Sequence, residues 1–263
     1  MSDIELDGVR GRIVARVWDP AESERIALIA HGYGEHSGRY LHVGEALADA
    51  GFAVYAPDHL GHGRSEGERV LVEDIEDIVE DLHRLSELAA REHSGLPTVL
   101  VGHSLGGMIA TRYAQLHGEE LQSLVLSGPA FGGNPEIEAL LGLDPIPDVP
   151  IDPAILSRDP AVGERYANDP LVWHGPFKRP TLEASFAMMK TIAEGPSLGP
   201  LPVLWLHGDQ DQLCPIDLAR EAVRRLAGDS LEERVYTGAQ HEVLNETNND
   251  EVIGDLLAFV RAA

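Results

Sequence analysis

The sequence has one cysteine and no long apolar run. Cys214 has no second cysteine with which to form an intrachain disulfide, which fits a reducing compartment. No stretch approaches the roughly 20 apolar residues that a membrane-spanning helix needs. The first residues also lack the basic and apolar segments of a secretion signal. We therefore expect a cytoplasmic protein.

Positive charge is also scarce. Twenty Lys and Arg stand against 44 Asp and Glu, so the formal net charge is −24 at pH 7. Because contacts with a phosphate backbone need clustered Lys and Arg, this balance argues against a nucleic-acid partner.

The sequence also lacks the motifs of common cofactor and metal sites. It has no Walker-type phosphate loop, and the glycine-rich turn at 61–67 has the wrong spacing for a dinucleotide loop. His59 and His62 are close together, but the third and fourth ligands of a zinc site are missing, so we interpret them as part of a structural turn. We expect neither a cofactor nor a metal.

What the sequence does contain is an alternation of apolar strands and amphipathic helices. Residues 4–18 alternate apolar and polar side chains around a glycine turn, which predicts an antiparallel hairpin. Further strand candidates are 25–30, 52–57, 98–101, 123–127, 203–206 and 233–236. From Ile75 to Ala89 the apolar residues are three or four positions apart, as in a helix that packs on a sheet. The pattern predicts an α/β fold whose mostly parallel central sheet carries helices on both faces.

The alternation stops between residues 131 and 199, where proline and glycine are frequent. We interpret this stretch as a cap inserted into a core formed by residues 1–130 and 200–263, because long insertions commonly cover active sites. The alternative is a helical excursion whose apolar residues pack on the core without contacting substrate.

The motif Gly102-His103-Ser104-Leu105-Gly106 stands between a strand candidate and a predicted helix. This is typical of a nucleophile elbow, a tight turn that lifts a serine hydroxyl above the edge of the sheet. Gly102 and Gly106 leave room for the crossing backbone. Because a serine hydroxyl is a weak nucleophile until a base removes its proton, the elbow predicts a base and an orienting acid elsewhere in the chain.

In this architecture the nucleophile precedes the acid, and the acid precedes the histidine. His241 is the only histidine after the acid loop at 209–215, and we predict that it is the base. The loop offers two carboxylates. Asp211 is favoured because it lies further round the loop and can reach back to the imidazole. Asp209 is the alternative acid, and if it is not the acid it is expected to cap neighbouring loop amides.

Two backbone amides are candidates for the oxyanion hole, which in this architecture uses the residue after the nucleophile and the loop after the third strand. Leu105 follows the nucleophile and begins a helix, whose N-terminus favours negative charge. Tyr33 lies between Gly32 and Gly34, which let the backbone turn an amide inward.

Five segments of the chain resemble those of one known family. They are HGYGEHSGRY at 31–40, DHLGHGRSEGERV at 58–70, GHSLGG at 102–107, LSRDPAVGERYANDPLV at 156–172 and DQDQLCP at 209–215. Together they resemble the monoacylglycerol lipases of the serine α/β-hydrolase superfamily across nearly the whole chain. The elbow is common to many esterases, whereas the first and fourth segments are more specific.

The resemblance implies an α/β-hydrolase fold. It also implies site residues, namely the triad Ser104, Asp211 and His241 and the oxyanion amides of Tyr33 and Leu105. Glu35, Arg39 and Tyr166 match family positions near the glycerol end of the substrate. The alternatives are a loop ion pair for Glu35 and Arg39 and a packing role in the cap for Tyr166. Leu244 stands where some mammalian members carry a further histidine, so head-group contacts are expected to differ.

The implied reaction is hydrolysis of a monoacylglycerol to glycerol and a free fatty acid through an acyl-Ser104 intermediate. The alternatives are a general carboxylesterase, lysophospholipase or peptidase on the same scaffold, or a non-catalytic ligand-binding member. The apolar cap residues would shelter the acyl chain. They are also a candidate for peripheral contact with a lipid surface, although an anionic membrane would repel this acidic protein.

Overall fold

The computed structural model describes all 263 residues, and eight strands form its single sheet in the order β1-β2-β4-β3-β5-β6-β7-β8. The strands are β1 Ser2–Asp7, β2 Arg12–Trp18, β3 Arg25–Ala30, β4 Phe52–Pro57, β5 Thr98–His103, β6 Leu121–Ser127, β7 Val203–Gly208 and β8 Leu231–Tyr236. β1 pairs antiparallel with β2, and β2 with β4, while all other pairs are parallel. The predicted hairpin and parallel sheet are confirmed.

Eight α-helices connect the strands. They are α1 Leu41–Asp49, α2 Ile75–Glu92, α3 Leu105–His117, α4 Pro135–Ala139, α5 Pro160–Asn168, α6 Arg179–Glu194, α7 Ile216–Ala227 and α8 Asn249–Ala262. None of them combines the length and apolar character that a crossing of the bilayer requires. α2 begins at Ile75, where the side chain of Asp74 accepts a hydrogen bond from the amide of Glu76.

Two apolar cores cover the two faces of the sheet. Successive residues of β3 point to opposite sides, so that Leu28 belongs to the core that includes α2, α3 and α7, while Ile29 belongs to the core that includes α1 and α8. The strands in the middle of the sheet are therefore buried almost throughout. β8 differs because it is an edge strand with one neighbour, and all of its residues except Tyr236 are partly buried or exposed.

Residues 131–199 lie between β6 and β7 and contain α4, α5 and α6. This segment contacts the loops that follow the carboxyl ends of two strands. The amide of Trp173 donates to the carbonyl of Gly34, 2.7 Å away, and the amide of Glu242 donates to the carbonyl of Leu156 at 2.8 Å. The segment therefore packs at the edge of the sheet where ligands of parallel α/β folds bind.

Candidate active site

Ser104 occupies the turn between β5 and α3 in a strained backbone conformation, with φ of 53° and ψ of −118°. Its amide donates to the carbonyl of Ser127 at 3.0 Å, and its carbonyl accepts from the amides of Gly107 at 2.9 Å and Ala130 at 3.1 Å. These bonds on both sides hold the turn in place, as a nucleophile elbow requires.

The glycines beside Ser104 are required by space. A Cβ on Gly106 would lie 2.0 Å from the carbonyl oxygen of Ala30, and one on Gly102 would lie 2.4 Å from the carbonyl oxygen of Gly106. Both distances are far below van der Waals contact, so neither position accepts a larger residue without movement of the backbone.

The imidazole of His241 meets the carboxylate of Asp211, with Nδ1 and Oδ2 2.8 Å apart. The other oxygen of Asp211 accepts the amides of Leu213 at 2.9 Å and Cys214 at 2.8 Å. Asp209 instead accepts the amide of Gly238 at 2.7 Å, which braces the two loops against each other. Of the two candidate acids, Asp211 is therefore the one that contacts the imidazole.

Burial and neighbouring charges have opposite effects on the pKa values of Asp211 and His241. Burial by itself raises the pKa of Asp211, but His241 and a hydrogen bond from His207 outweigh it, and the pKa lies below the ordinary range. Burial lowers the pKa of His241, but Asp211 and then Glu242 outweigh it and raise the pKa above its ordinary value. The acid is therefore ionised, and the imidazole is a stronger base than a free histidine.

Ser104 and His241 line the same cavity. No side-chain hydrogen bond joins them in this structure, and such bonds often tighten only when substrate is bound. A Cβ on Gly32 would lie 3.2 Å from the Cβ of Ser104, so the loop after β3 also comes into close contact with the elbow.

His31 determines the orientation of the Gly32–Tyr33 peptide. Its Nε2 accepts the amide of His59 at 3.0 Å, so the proton is on Nδ1, which donates to the carbonyl of Gly32 at 2.8 Å. In a trans peptide the N–H points away from the C=O, so the Tyr33 amide faces away from His31. The amide of Gly32 donates to Glu35 at 2.6 Å, so both peptides around Gly32 are held.

His31, His59 and His62 form a buried cluster under this loop, with ring centroids of His31 4.0 Å from His59 and 5.3 Å from His62. Burial lowers the pKa of all three, that of His59 to about 3, so they are neutral. His59 and His62 thus serve the structure of the turn. Sequence reasoning missed His31, although it directly precedes Gly32 and Tyr33.

The cavity above Ser104 has a volume of about 120 Å³, and 15 of its 26 lining residues are hydrophobic. Much of this apolar lining comes from the inserted segment, including Phe131, Ile137, Phe177, Leu182, Phe186 and Met189. The thiol of Cys214 also lines it. Burial and the charge of Asp211 raise the pKa of this thiol well above its ordinary value, so it is a neutral wall of the cavity.

A connected group of polar side chains forms another part of the wall. Arg39 donates to Glu35 at 2.7 Å and pairs with both oxygens of Glu242, at 2.6 and 2.7 Å. The Tyr166 ring lies 5.0 Å from the Arg39 guanidinium. All four line the cavity, so Glu35 and Arg39 form the ion pair that was the alternative to substrate contact and also face the space beside His241. Sequence reasoning missed Glu242. The one feature of the sequence that could have pointed to it as a site residue is its position directly after His241.

This fold and this order of serine, aspartate and histidine define an α/β-hydrolase of the serine hydrolase class. The family model described as Hydrolase_4, serine aminopeptidase S33, matches residues 21–248, and the chain belongs to this family. The chain is 37% identical to a monoacylglycerol lipase from Mycolicibacterium smegmatis, over 98% of this chain and 96% of that protein.

Solved structures agree with the assignment. The chain superposes on a carboxyl esterase from Bacillus coagulans, solved in complex with glycerol, with a TM-score of 0.82, 26% identity and coverage of 99% and 98% of the two chains. For a monoacylglycerol lipase from Paleococcus ferrophilus the TM-score is 0.79, the identity 29% and the coverage 94% and 97%. The predicted fold and family are confirmed, and the chain is a serine ester hydrolase.

Proposed function

We propose that this protein hydrolyses monoacylglycerols to glycerol and a free fatty acid, with Ser104, Asp211 and His241 as the triad. The observation that carries the proposal is the composition of the cavity. Its wall is mostly apolar, with one connected polar group beside His241. An acyl chain suits the apolar part, and a glycerol head group suits the polar part. The monoacylglycerol lipases among the relatives support the same substrate.

In the proposed mechanism, His241 takes the proton of Ser104 as the hydroxyl oxygen attacks the ester carbonyl. Asp211 stabilises the imidazolium that forms. The amides of Leu105 and Tyr33 donate to the oxyanion of the tetrahedral intermediate. His241 then returns the proton to the leaving oxygen, glycerol departs, and Ser104 carries the acyl group.

The second half repeats these steps with water. His241 removes a proton from a water molecule, whose oxygen attacks the acyl carbonyl. Collapse of the second intermediate releases the fatty acid and returns the proton to Ser104. Each step uses only side chains, backbone amides and water.

We assign residues 131–199 to a cap that shelters the acyl chain. In support, α6 contributes Leu182, Phe186 and Met189 to the cavity, and the ring of Phe177 stacks on Tyr33 with 4.9 Å between centroids. An alternative in which the segment packs without meeting substrate would leave acyl-chain preference unchanged when Phe186 is replaced by alanine. Our proposal expects that preference to shift.

The cap also carries exposed apolar side chains, Leu143 at 46% and Val149 at 64% exposure, and we propose that it contacts neutral lipid surfaces from the cytoplasm. The single cysteine fits that compartment. In flotation with phosphatidylcholine vesicles, Leu143→Ser with Val149→Ser should lower the bound fraction, whereas Val9→Ser in β1–β2, the matched control, should not. Absence of binding by the unaltered protein would exclude this contact.

The reaction is tested by comparing a monoacylglycerol, a short nitrophenyl ester and an aminoacyl amide as substrates. We expect the highest kcat/KM for the monoacylglycerol, and loss of all hydrolysis in Ser104→Ala. A fluorophosphonate probe should label the unaltered protein and not Ser104→Ala. Faster cleavage of the amide would identify a peptidase, and absence of labelling would identify a non-catalytic member.

A further inference from the structure

The polar group of the cavity contains one arginine and two glutamates. Arg39 is buried, with 10% of its side chain exposed, and the side chains of Glu35 and Glu242 are each 4% exposed. No other lysine or arginine lines the cavity. The polar group therefore carries a net charge of one negative unit with all three groups ionised.

Glu242 occupies the guanidinium of Arg39, which would otherwise be free to bind an anion. A guanidinium presents its N–H groups as a fork that matches a carboxylate or phosphate, and is a common receptor for both. Here both oxygens of Glu242 occupy that fork, and Glu35 binds Nη1 as well. Burial lowers the pKa of Arg39, but the charges of Glu242 and Glu35 outweigh it and raise the pKa well above its ordinary value.

The two carboxylates retain some capacity to accept hydrogen bonds. Glu35 accepts three bonds, from Gly32, Arg39 and Tyr40. Glu242 also accepts three, two from Arg39 and one from Asn245. Since a carboxylate has roughly four acceptor positions, each can still take a hydroxyl donor. A hydroxyl head group thus finds acceptors here, while a phosphate meets two carboxylates.

We propose that Glu242 is a specificity-determining residue, which makes this end of the cavity accept uncharged, hydroxyl-bearing head groups and reject anionic ones such as the phosphate of lysophosphatidic acid. The inference rests on the proposed function, because it assigns the polar group to the head group of the substrate. It also predicts that this site, although Arg39 lines the same cavity as Ser104, does not serve as a lysophosphatidic acid hydrolase.

The test compares three substrates with the same short acyl chain, below their micelle concentrations: a monoacylglycerol, a lysophosphatidic acid and a lysophosphatidylcholine. The choline compound has a large head group without net charge, so it separates size from charge. Assays run in about 1 M salt, where the Debye length is about 3 Å and repulsion by the net charge of −24 is screened. Glu242→Gln is the informative variant and Glu242→Asp conserves the charge.

We expect the unaltered protein to prefer the monoacylglycerol to lysophosphatidic acid. In Glu242→Gln the ratio of kcat/KM for lysophosphatidic acid to that for monoacylglycerol should rise about tenfold, while the lysophosphatidylcholine ratio should change less, because the quaternary ammonium of choline offsets the charge of its phosphate. Glu242→Asp should keep the original ratio. Glu246→Gln should also keep it, since Glu246 is a buried carboxylate that pairs with Arg158 and does not line the cavity.

Equal hydrolysis of lysophosphatidic acid and monoacylglycerol by the unaltered protein would overturn the proposal, as would an unchanged ratio in Glu242→Gln. A second measurement needs no variant. With the nitrophenyl ester as substrate, glycerol 3-phosphate should inhibit less than glycerol, and stronger inhibition by the phosphate would also overturn it. Failure of the proposed function has a different signature, in which the nitrophenyl ester is cleaved and the monoacylglycerol is not.

Discussion

Asp211 contacts His241 with one carboxylate oxygen and the loop's own backbone with the other, so the acid is held in place before it meets the imidazole. The two residues are 30 positions apart and belong to loops after neighbouring parallel strands, β7 and β8. A buried carboxylate in this position fixes the tautomer of the imidazole and leaves Nε2 free to act on the nucleophile.

Replacement of Asp211 should greatly reduce kcat. In Asp211→Asn the amide cannot stabilise the imidazolium, and we expect kcat to fall about 10³- to 10⁴-fold. Asp209→Asn is the matched control in the same loop, and its kcat should change less than about tenfold because Asp209 contacts Gly238 and not His241. Steady-state kinetics on a monoacylglycerol checks both. The reverse order of effects would make Asp209 the catalytic acid.

The pH dependence should follow the neutral fraction of His241. Its pKa is raised, so the base is lost as pH falls through a value above that of ordinary histidine, and kcat/KM should decline on that acid side. The carboxylates of Asp211, Glu242 and Glu35 all stabilise the charged imidazole. Glu242→Gln should therefore move the acid limb to lower pH, and Glu246→Gln should leave it in place. A limb that moves to higher pH would contradict this account of the site.

The crowding at the elbow predicts a large loss of stability. Gly106→Ala places a methyl group 2.0 Å from the Ala30 carbonyl oxygen, and overpacking of this kind should lower the free energy of unfolding by about 3 kcal/mol or more. In Gly118→Ala, at the end of α3, the added methyl group has no other atom within 4 Å, and the free energy of unfolding should change by less than about 1 kcal/mol. Urea denaturation measures both, and equal stabilities would show that the elbow relaxes.

Removal of the group that orients the Tyr33 amide should slow the chemical step. His31→Leu keeps a side chain of similar size without the donor to Gly32, and we expect kcat to fall about 10²-fold with little change in KM. His62→Leu is the control from the same buried cluster, because its ring contacts the Leu60 carbonyl and not Gly32. Urea midpoints of the two variants should be alike. Similar kcat values for both would mean that His31 acts only through packing.

Local rules made much of the fold predictable. Strand positions followed from apolar runs, since central parallel strands are buried on both faces, and α2 begins where its periodicity begins. The boundaries were less accurate. β5 was expected to end at residue 101 but continues to His103, because pairing with β6 carries the strand up to the elbow.

The site residues also differ in whether they could be identified from the sequence or only from contacts between distant parts of the chain. The elbow could be identified because its glycines and serine form a short motif between a strand and a helix, and the histidine because chain order leaves one candidate after the acid loop. Glu242 could not be assigned, because Arg39, which it binds, lies 203 positions away. His31 could not be assigned either, since its role depends on which ring nitrogen carries the proton, and that depends on a bond to His59.

The sequence by itself indicated the succession of strands and helices and the tight turn at Ser104, because these depend on patterns within a few residues, and chain order left His241 as the one candidate for the base. Only the tertiary structure showed that Asp211, and not Asp209, contacts His241 and that Glu35, Arg39 and Glu242 form one charged group. Contacts between distant loops depend on how the sheet brings the carboxyl ends of its strands together, and no spacing along the chain encodes the resulting distances.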